Sequence, residues 1–373
     1  MSALEQLQQV ARDPAGRARE WKATGGKVIG YRCLYSPEEI ITAAGMLPYP
    51  LYGTPEPIRL ADAYFQACTC EYIRNVFDLA LDGKLDFLDG LVLSNTCDVV
   101  KRLCDIWGAY LRHTPVHMIA NPQRLMNDGN RAFYMEELRR YRERMEQISG
   151  VEITDAKLCE AIALHNETRS LLREIYALRR ADPPPLSGAE ALDICMAASV
   201  VPPEEANTLL RRAFQEIRDR HIQDNIGPRI LVTGSILDHP ALLRMIDEEG
   251  GVVVGEDLCN TMRTFWHPVE ESLDLPPLEA LWRFGNRRPW CACMHPTEAR
   301  LEFLLELVKD LDAEAVIYLN LKYCHPFLYE APLYRKALEE RHIPTHILEV
   351  GHDMSGHGQL RTRIQAFIEM LDA

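Results

Sequence analysis

Eleven cysteines carry most of the chemistry that this chain can offer: Cys33, Cys68, Cys70, Cys97, Cys104, Cys159, Cys195, Cys259, Cys291, Cys293 and Cys324. Their number is odd, so they cannot all pair within one chain. The opening Met1-Ser2-Ala3-Leu4-Glu5-Gln6 lacks the basic and apolar regions of a secretion signal, and no apolar run approaches the ~20 residues of a membrane span. A cytoplasmic location is therefore expected, where thiols stay reduced. There a cysteine serves as a small buried side chain, a metal ligand or a nucleophile.

Position separates these roles. Cys97 follows an apolar run at residues 88–93, Cys259 one at 251–254 and Cys324 one at 315–319. If those runs are parallel strands, the three thiols stand at carboxyl ends, where α/β sheets bind ligands. Cys70 opens a helical stretch, and a helix N-terminus favours thiolate. Cys33, Cys104, Cys159 and Cys195 fall in helical or strand-flanking contexts and are assigned to the apolar interior. Cys68-Thr69-Cys70 and Cys291-Ala292-Cys293 lack the CxxC spacing of a zinc ribbon, and no compact ferredoxin run is present. A cluster, if bound, must draw on ligands dispersed in sequence.

Cations recur within a turn of these cysteines: Arg74 after Cys70, Lys101 and Arg102 after Cys97, Arg263 after Cys259. Beside a polyanionic centre they would raise its reduction potential or hold a substrate phosphate. They are equally consistent with solvent-facing helix charges. His352-Asp353-Met354-Ser355-Gly356-His357-Gly358 reads as a turn before a helix. Thr233-Gly234-Ser235 lacks the second glycine of a nucleophile elbow. No P-loop or G-x-G-x-x-G occurs, so no standard motif supports ATP or NAD binding.

The elements that must position these residues alternate strand and helix. Strands are expected at 27–31, 46–52, 88–93 and 116–120. Ser36-Pro37-Glu38-Glu39 marks a helix start with Ser36 as N-cap. Residues 131–180 are helical and highly charged, Asp182-Pro183-Pro184-Pro185 breaks the pattern, and helix resumes to about Gln223. After Gly227-Pro228 the strands return at 229–232, 251–254, 315–319 and 345–349, with helices at 239–249 and 359–371. This alternation implies an α/β fold with parallel sheets. The expected organisation is an N-terminal α/β domain (1–130), a mostly helical region (131–226) and a C-terminal α/β domain (227–373), with a cleft between the α/β halves.

The 373 residues are 47% apolar and 26% charged, an ordinary globular balance. With 41 basic and 55 acidic residues the net charge is −14. So acidic a surface repels phosphate backbones and anionic lipid, and no nucleic-acid or membrane partner is expected.

Several stretches together resemble subunits of the 2-hydroxyacyl-CoA dehydratase and benzoyl-CoA reductase family. They are Ile29-Gly30-Tyr31 with Tyr35-Ser36-Pro37-Glu38-Glu39-Ile40-Ile41, then Ala43-Ala44-Gly45-Met46-Leu47-Pro48 and Ser94-Asn95-Thr96-Cys97-Asp98. Further on come Glu256-Asp257-Leu258-Cys259, Lys322-Tyr323-Cys324-His325-Pro326 and Gly358-Gln359-Leu360-Arg361-Thr362-Arg363 with Ala366-Phe367. They span nearly the whole chain. Asp62-Ala63-Tyr64-Phe65-Gln66 with Cys70 leans toward the smaller cluster-binding subunit of class I benzoyl-CoA reductases.

The resemblance implies two flavodoxin-like domains with a helical part and one 4Fe-4S cluster held by three cysteines in the cleft. It implies a homologous second subunit, in a heterodimer or higher oligomer. It also implies an ATP-dependent iron–sulfur activator that injects one low-potential electron, and an acyl-CoA thioester reduced to a ketyl radical anion. Carried over by motif, the ligands are Cys70, Cys97 and Cys324, with Cys259 in reserve and Cys68 as an alternative to Cys70. The chain departs from the family after Cys259, where Asn260-Thr261-Met262-Arg263 stands in place of a Thr-Gly pair before the arginine. Two other readings stand beside this one. One is a homodimer with a double-cubane cluster that reduces small molecules without CoA. The other is a subunit that only relays electrons or completes the fold.

Overall fold

The computed structural model describes residues 1–220, 227–287, 291–354 and 356–371. The expected end of the helical region, Gln223 to residue 226, lies outside the described residues. Two four-stranded parallel sheets form the frame. The first contains β1 (Val28–Arg32), β2 (Leu47–Pro50), β3 (Gly90–Ser94) and β4 (Val116–Ile119) in the order β2-β1-β3-β4. The second contains β5 (Arg229–Gly234), β6 (Val252–Asp257), β7 (Ala315–Leu321) and β8 (Thr345–Val350) in the order β6-β5-β7-β8. The two halves thus repeat one topology, the two flavodoxin-like parallel-sheet units implied above. In each sheet the order reverses beside the first strand, between β1 and β3 and between β5 and β7.

Helices cover both sheets. In the first half these are α1 (Ala3–Arg12), α2 (Pro14–Ala23), α3 (Glu38–Ala43), α4 (Glu71–Leu81) and α5 (Asp98–Tyr110). The middle of the chain holds α6 (Arg131–Ser149), α7 (Asp155–Ala177), α8 (Gly188–Val200) and α9 (Pro203–Arg218). The second half adds α10 (Ala241–Glu248), α11 (Met262–Phe265), α12 (Pro277–Asn286), α13 (Thr297–Asp310), α14 (His325–Glu339) and α15 (His357–Leu371).

Side chains alternate across the first sheet. Val28, Leu91 and Leu93 join one core, while Ile29 and Val92 join another behind it. β7 is buried along its whole length, as expected of a central parallel strand. α8 is buried on nearly every side and lies close to β6: a Cβ on Gly188 would stand 2.8 Å from Val253 Cβ. The helical region is tied to both halves by buried ion pairs. Arg169 Nη2 reaches Glu39 Oε1 at 2.6 Å, and Arg179 grips both carboxylate oxygens of Glu256 at 2.6 and 2.8 Å.

The helix after β1 starts later than expected. Pro37, not Ser36, is the N-cap residue of α3. The Ser36 hydroxyl instead donates to Arg32 O at 3.1 Å and meets Ser94 Oγ at 2.7 Å, fastening the ends of β1 and β3 together.

Candidate functional site

Four of the eight strands deliver a cysteine just beyond their carboxyl ends. β1 leads to Cys33, β3 to Cys97, β6 to Cys259 and β7 to Cys324. Cys70, Cys97 and Cys324 are in addition the N-cap residues of α4, α5 and α14, so each sulfur sits at the positive end of a helix. These thiols, with Cys291 and Cys293 from the segment between α12 and α13, line one cavity of about 760 Å³, part of it open to solvent. It lies where the two reversals of strand order face each other, the position at which open α/β sheets bind ligands.

The expected ligands Cys70, Cys97 and Cys324 therefore come together, and Cys259 joins them. Cys68 is exposed and is not part of the wall, which separates the two members of that doublet. Cys33, assigned to the interior from sequence, is a correction: it faces the cavity. Its φ of 92° lies in a region that non-glycine residues seldom occupy, as does the 62° of Tyr323 beside Cys324. The signal was available, since Cys33 also follows a strand. Cys291 and Cys293 carried no such signal. Cys159 is a second correction, being exposed rather than interior. Cys195 is buried as expected, and Cys104 is half-buried.

The thiols share protons among themselves. A hydrogen bond from Cys324 outweighs burial at Cys70 and, with the N–H groups of Ile73 and Tyr72, brings its pKa down to about 7. Cys97 is lowered by a hydrogen bond from Cys293, against burial, with help from the Val100 amide. Cys293 likewise serves Cys291, which falls to about 6 despite burial and also accepts from the Cys293 amide at 3.5 Å. The donors Cys324 and Cys293 are raised in return. Burial lifts Cys33 to about 12 and raises Cys259, although Arg263 and Arg32 oppose it there. Cys70, Cys97 and Cys291 are thus the thiols of this wall that give up a proton most readily.

Of the cations noted in the sequence, Arg74 is engaged by Asp62 and donates to Thr69 O at 3.1 Å. Arg263 holds Asp257 through two bonds of 2.6 and 2.8 Å. Arg102 is exposed on α5 and lies 3.5 Å from Asp98.

A second cavity, about 1210 Å³ including open solvent, adjoins the first. The two share Arg32, Cys33, Leu34, Tyr35, Ile236 and Cys259, so it forms a vestibule to the thiols. One vestibule wall is a polar chain. Tyr31 donates to Glu38 at 2.5 Å, and His165 Nδ1 lies 3.3 Å from Glu38. Burial alone would raise Glu38, but His165 and Arg169 carry it down to about 2. Behind the thiols sits a feature that sequence reading treated as a turn. His352 is buried against Asp238 at 3.0 Å, and Asp238 also accepts from the Gly53 amide at 2.7 Å.

Among the described residues no three or more Cys, His, Asp or Glu side chains converge closely enough to chelate one metal ion. The thiols instead ring a space. Soft sulfur donors around a cavity at helix N-termini suit an iron–sulfur cluster, whose irons reach outward to thiolates, better than a single ion. No helix is long and apolar enough to cross a membrane among those residues.

A family model described as "2-hydroxyglutaryl-CoA dehydratase, D-component" matches residues 33–371. One of the subunits of benzoyl-CoA reductase from Thauera aromatica is 31% identical over 341 residues, 88% of this chain and 86% of that protein. The beta subunit of (R)-phenyllactyl-CoA dehydratase from Clostridium sporogenes is 28% identical over 354 residues, 95% of this chain and 94% of its own length. A putative dehydratase subunit of Escherichia coli (strain K12) is 30% identical over 362 residues, covering 94% and 93%.

Proposed function

The chain belongs to the 2-hydroxyglutaryl-CoA dehydratase D-component family, and within it we propose an iron–sulfur subunit of an enzyme that reduces or dehydrates an acyl-CoA thioester. Cys70, Cys97 and Cys324 would hold a 4Fe-4S cluster. The observation that carries this reading is their meeting, from both halves of the chain and each at a helix N-terminus, on one cavity wall. When bound, such a cluster would pass single electrons at low potential, with one iron left open by a three-thiolate set.

The chain's own residues do the rest. Neighbouring thiols and backbone amides favour the anionic form of Cys70 and Cys97, while Cys324 holds the proton that it shares with Cys70. Thiols from both sheets face one cleft. The vestibule gives a ligand a route to the thiols, with Glu38, His165 and Tyr31 in hydrogen-bond contact along its side. A homologous second subunit and an ATP-dependent activator complete the proposal, as the relatives' names as subunits support for the former. We also propose the division into units 1–130, 131–226 and 227–373. The strands of the two sheets fall within the outer units and α6 to α9 within the middle one. α1 binds that middle unit too: its first amides donate to Glu216 at 2.8 and 3.0 Å.

One observation favours a second reading. Cys33, Cys259, Cys291 and Cys293 share the cavity with the three proposed ligands, more thiols than one cubane needs. A double-cubane centre acting on small molecules would use them. Iron and acid-labile sulfide, counted on protein made without oxygen, decide the matter. About four of each per chain, lost in C70A, C97A and C324A, supports the first reading. Clearly more than four, lost also in C33A, C259A or C291A, supports the second. Absence of both elements sinks both.

A further inference from the structure

The arginines packed around the thiol cavity differ in one respect. Arg263 is neutralised by Asp257, Arg300 by Glu330 at 3.0 Å, and Arg74 by Asp62. Arg32, the last residue of β1, has no carboxylate partner among the described residues. Arg32 is half-buried; its Nε is sealed from solvent without a hydrogen-bond partner among the described residues, and its guanidinium lies 4.9 Å from the Tyr72 ring centre. It stands in the wall common to both cavities, and its charge acts on Cys259, Cys33 and Cys97.

A buried donor left unpaired is costly, and an unpaired charge more so. The fold supplies a carboxylate side chain to each of the other three arginines and none to this one among the described residues. Cys33 beside it has a φ of 92°, and Arg32 and Cys33 both lie on the cavity wall. Arg32 lines the cavity, so an anion held there would give its charge a partner. Among the described residues no carboxylate lines the thiol cavity, and Glu38 and Glu39 of the vestibule are engaged by His165 and Arg169, which leaves the thiolates and the cluster that they would hold as that anion.

We propose that Arg32 is a positioning residue that compensates the charge of the thiolate-bound cluster and favours its reduced form. This rests on the iron–sulfur reading above. Each electron added to a cluster increases its negative charge, and a fixed cation nearby in low dielectric stabilises the product more than the starting state. The three neutralised arginines present dipoles there, not net charge.

The test is a spectroscopically monitored redox titration of the anaerobically purified protein, with iron and sulfide counted in each sample. Wild type is compared with R32Q, R32K and the double variant R74Q/D62N, which removes a neutral pair. The proposal expects R32Q to keep its iron with its reduced-to-oxidised ratio at fixed potential down at least about tenfold, a 59 mV fall for one electron. R32K should lie near wild type, and R74Q/D62N should not move. An unchanged potential in R32Q, or an equal shift in R74Q/D62N, overturns it. If R32Q loses its iron, retention in R32K supports a charge role and loss there shows a packing role, which overturns the proposal. Wild type without iron or sulfide removes the cluster reading itself, and the proposal with it.

Discussion

Cys68 and Cys70 stand two residues apart and face different surroundings. Cys70 caps α4 and turns its sulfur toward Cys324, whereas Cys68 is exposed. We expect C68A to keep the full iron content of wild type and C70A to lose most of it, measured as iron per chain after anaerobic purification. Retention in C70A would remove the helix-cap argument for all three proposed ligands. The sequence showed Cys97, Cys259 and Cys324 because each trails an apolar run, and the same logic would have found Cys33. It missed Cys33 because Arg32 and Cys33 look like the tail of a strand and not the rim of a site. Cys291 and Cys293 were illegible for a different reason. They reach the cavity from a segment between two helices, so only the tertiary fold brings them near. The Arg–carboxylate pairs that silence Arg263 and Arg74 were also hidden, since Asp62 lies twelve residues from Arg74 across a turn.

At the scale of elements, the placement of strands and helices along the chain followed the apolar periodicity, and the ends of elements did not. β6 continues to Asp257, past the expected end at 254. Sequence reading stops a strand at its first carboxylates, because a buried charge is costly unless paired. Here Glu256 and Asp257 are paired, by Arg179 from the turn after α7 and by Arg263 from α11. Neither partner is recognisable from local sequence. α10 packs against the same strand and carries the opposite case. Burial outweighs the Val253 amide and the Arg179 charge at Asp247, and Glu256 and Glu190 add repulsion, so its pKa rises to about 7. A carboxyl raised in the folded state binds a proton that the unfolded chain has released above pH ~4. Its contribution therefore falls as pH climbs from ~4 to about 7 and is constant beyond. D247N lacks this loss. We expect it to match wild type near pH 4 and to be more stable by about 2–4 kcal/mol at pH 8. Urea unfolding at the two pH values checks this, and an equal difference at both would show that ionisation is not the cause.

Across the whole molecule, the thiol cavity exists only while the two sheets stay registered, and one group of polar contacts crosses between the two α/β halves directly behind it. The Gly53 amide reaches Asp238, the His352 amide reaches Glu71 at 2.9 Å, and the Glu71 amide reaches Lys322 O at 3.5 Å. Gly53 has no room for a side chain, since a Cβ would come within 2.5 Å of His352 Cε1 and 2.7 Å of Asn75 Oδ1. Glu71 follows Cys70 and Lys322 precedes Cys324 by two residues, so this junction backs directly onto two proposed ligands. Removing Asp238 leaves His352 buried without its partner, a loss of the order of 3–5 kcal/mol. Leu210 in α9 is fully buried in the helical region and lines neither cavity; L210A should cost a comparable ~2–5 kcal/mol. We expect D238A and L210A to lower the melting temperature alike but to differ in how they hold iron. D238A should release it to a chelator several-fold faster than wild type at a temperature where all three are folded, because the two sheets can separate at the cavity. L210A should release it at the wild-type rate. Equal release from both variants would reduce the junction to general stability and leave the registry of the cleft to the thiolates themselves.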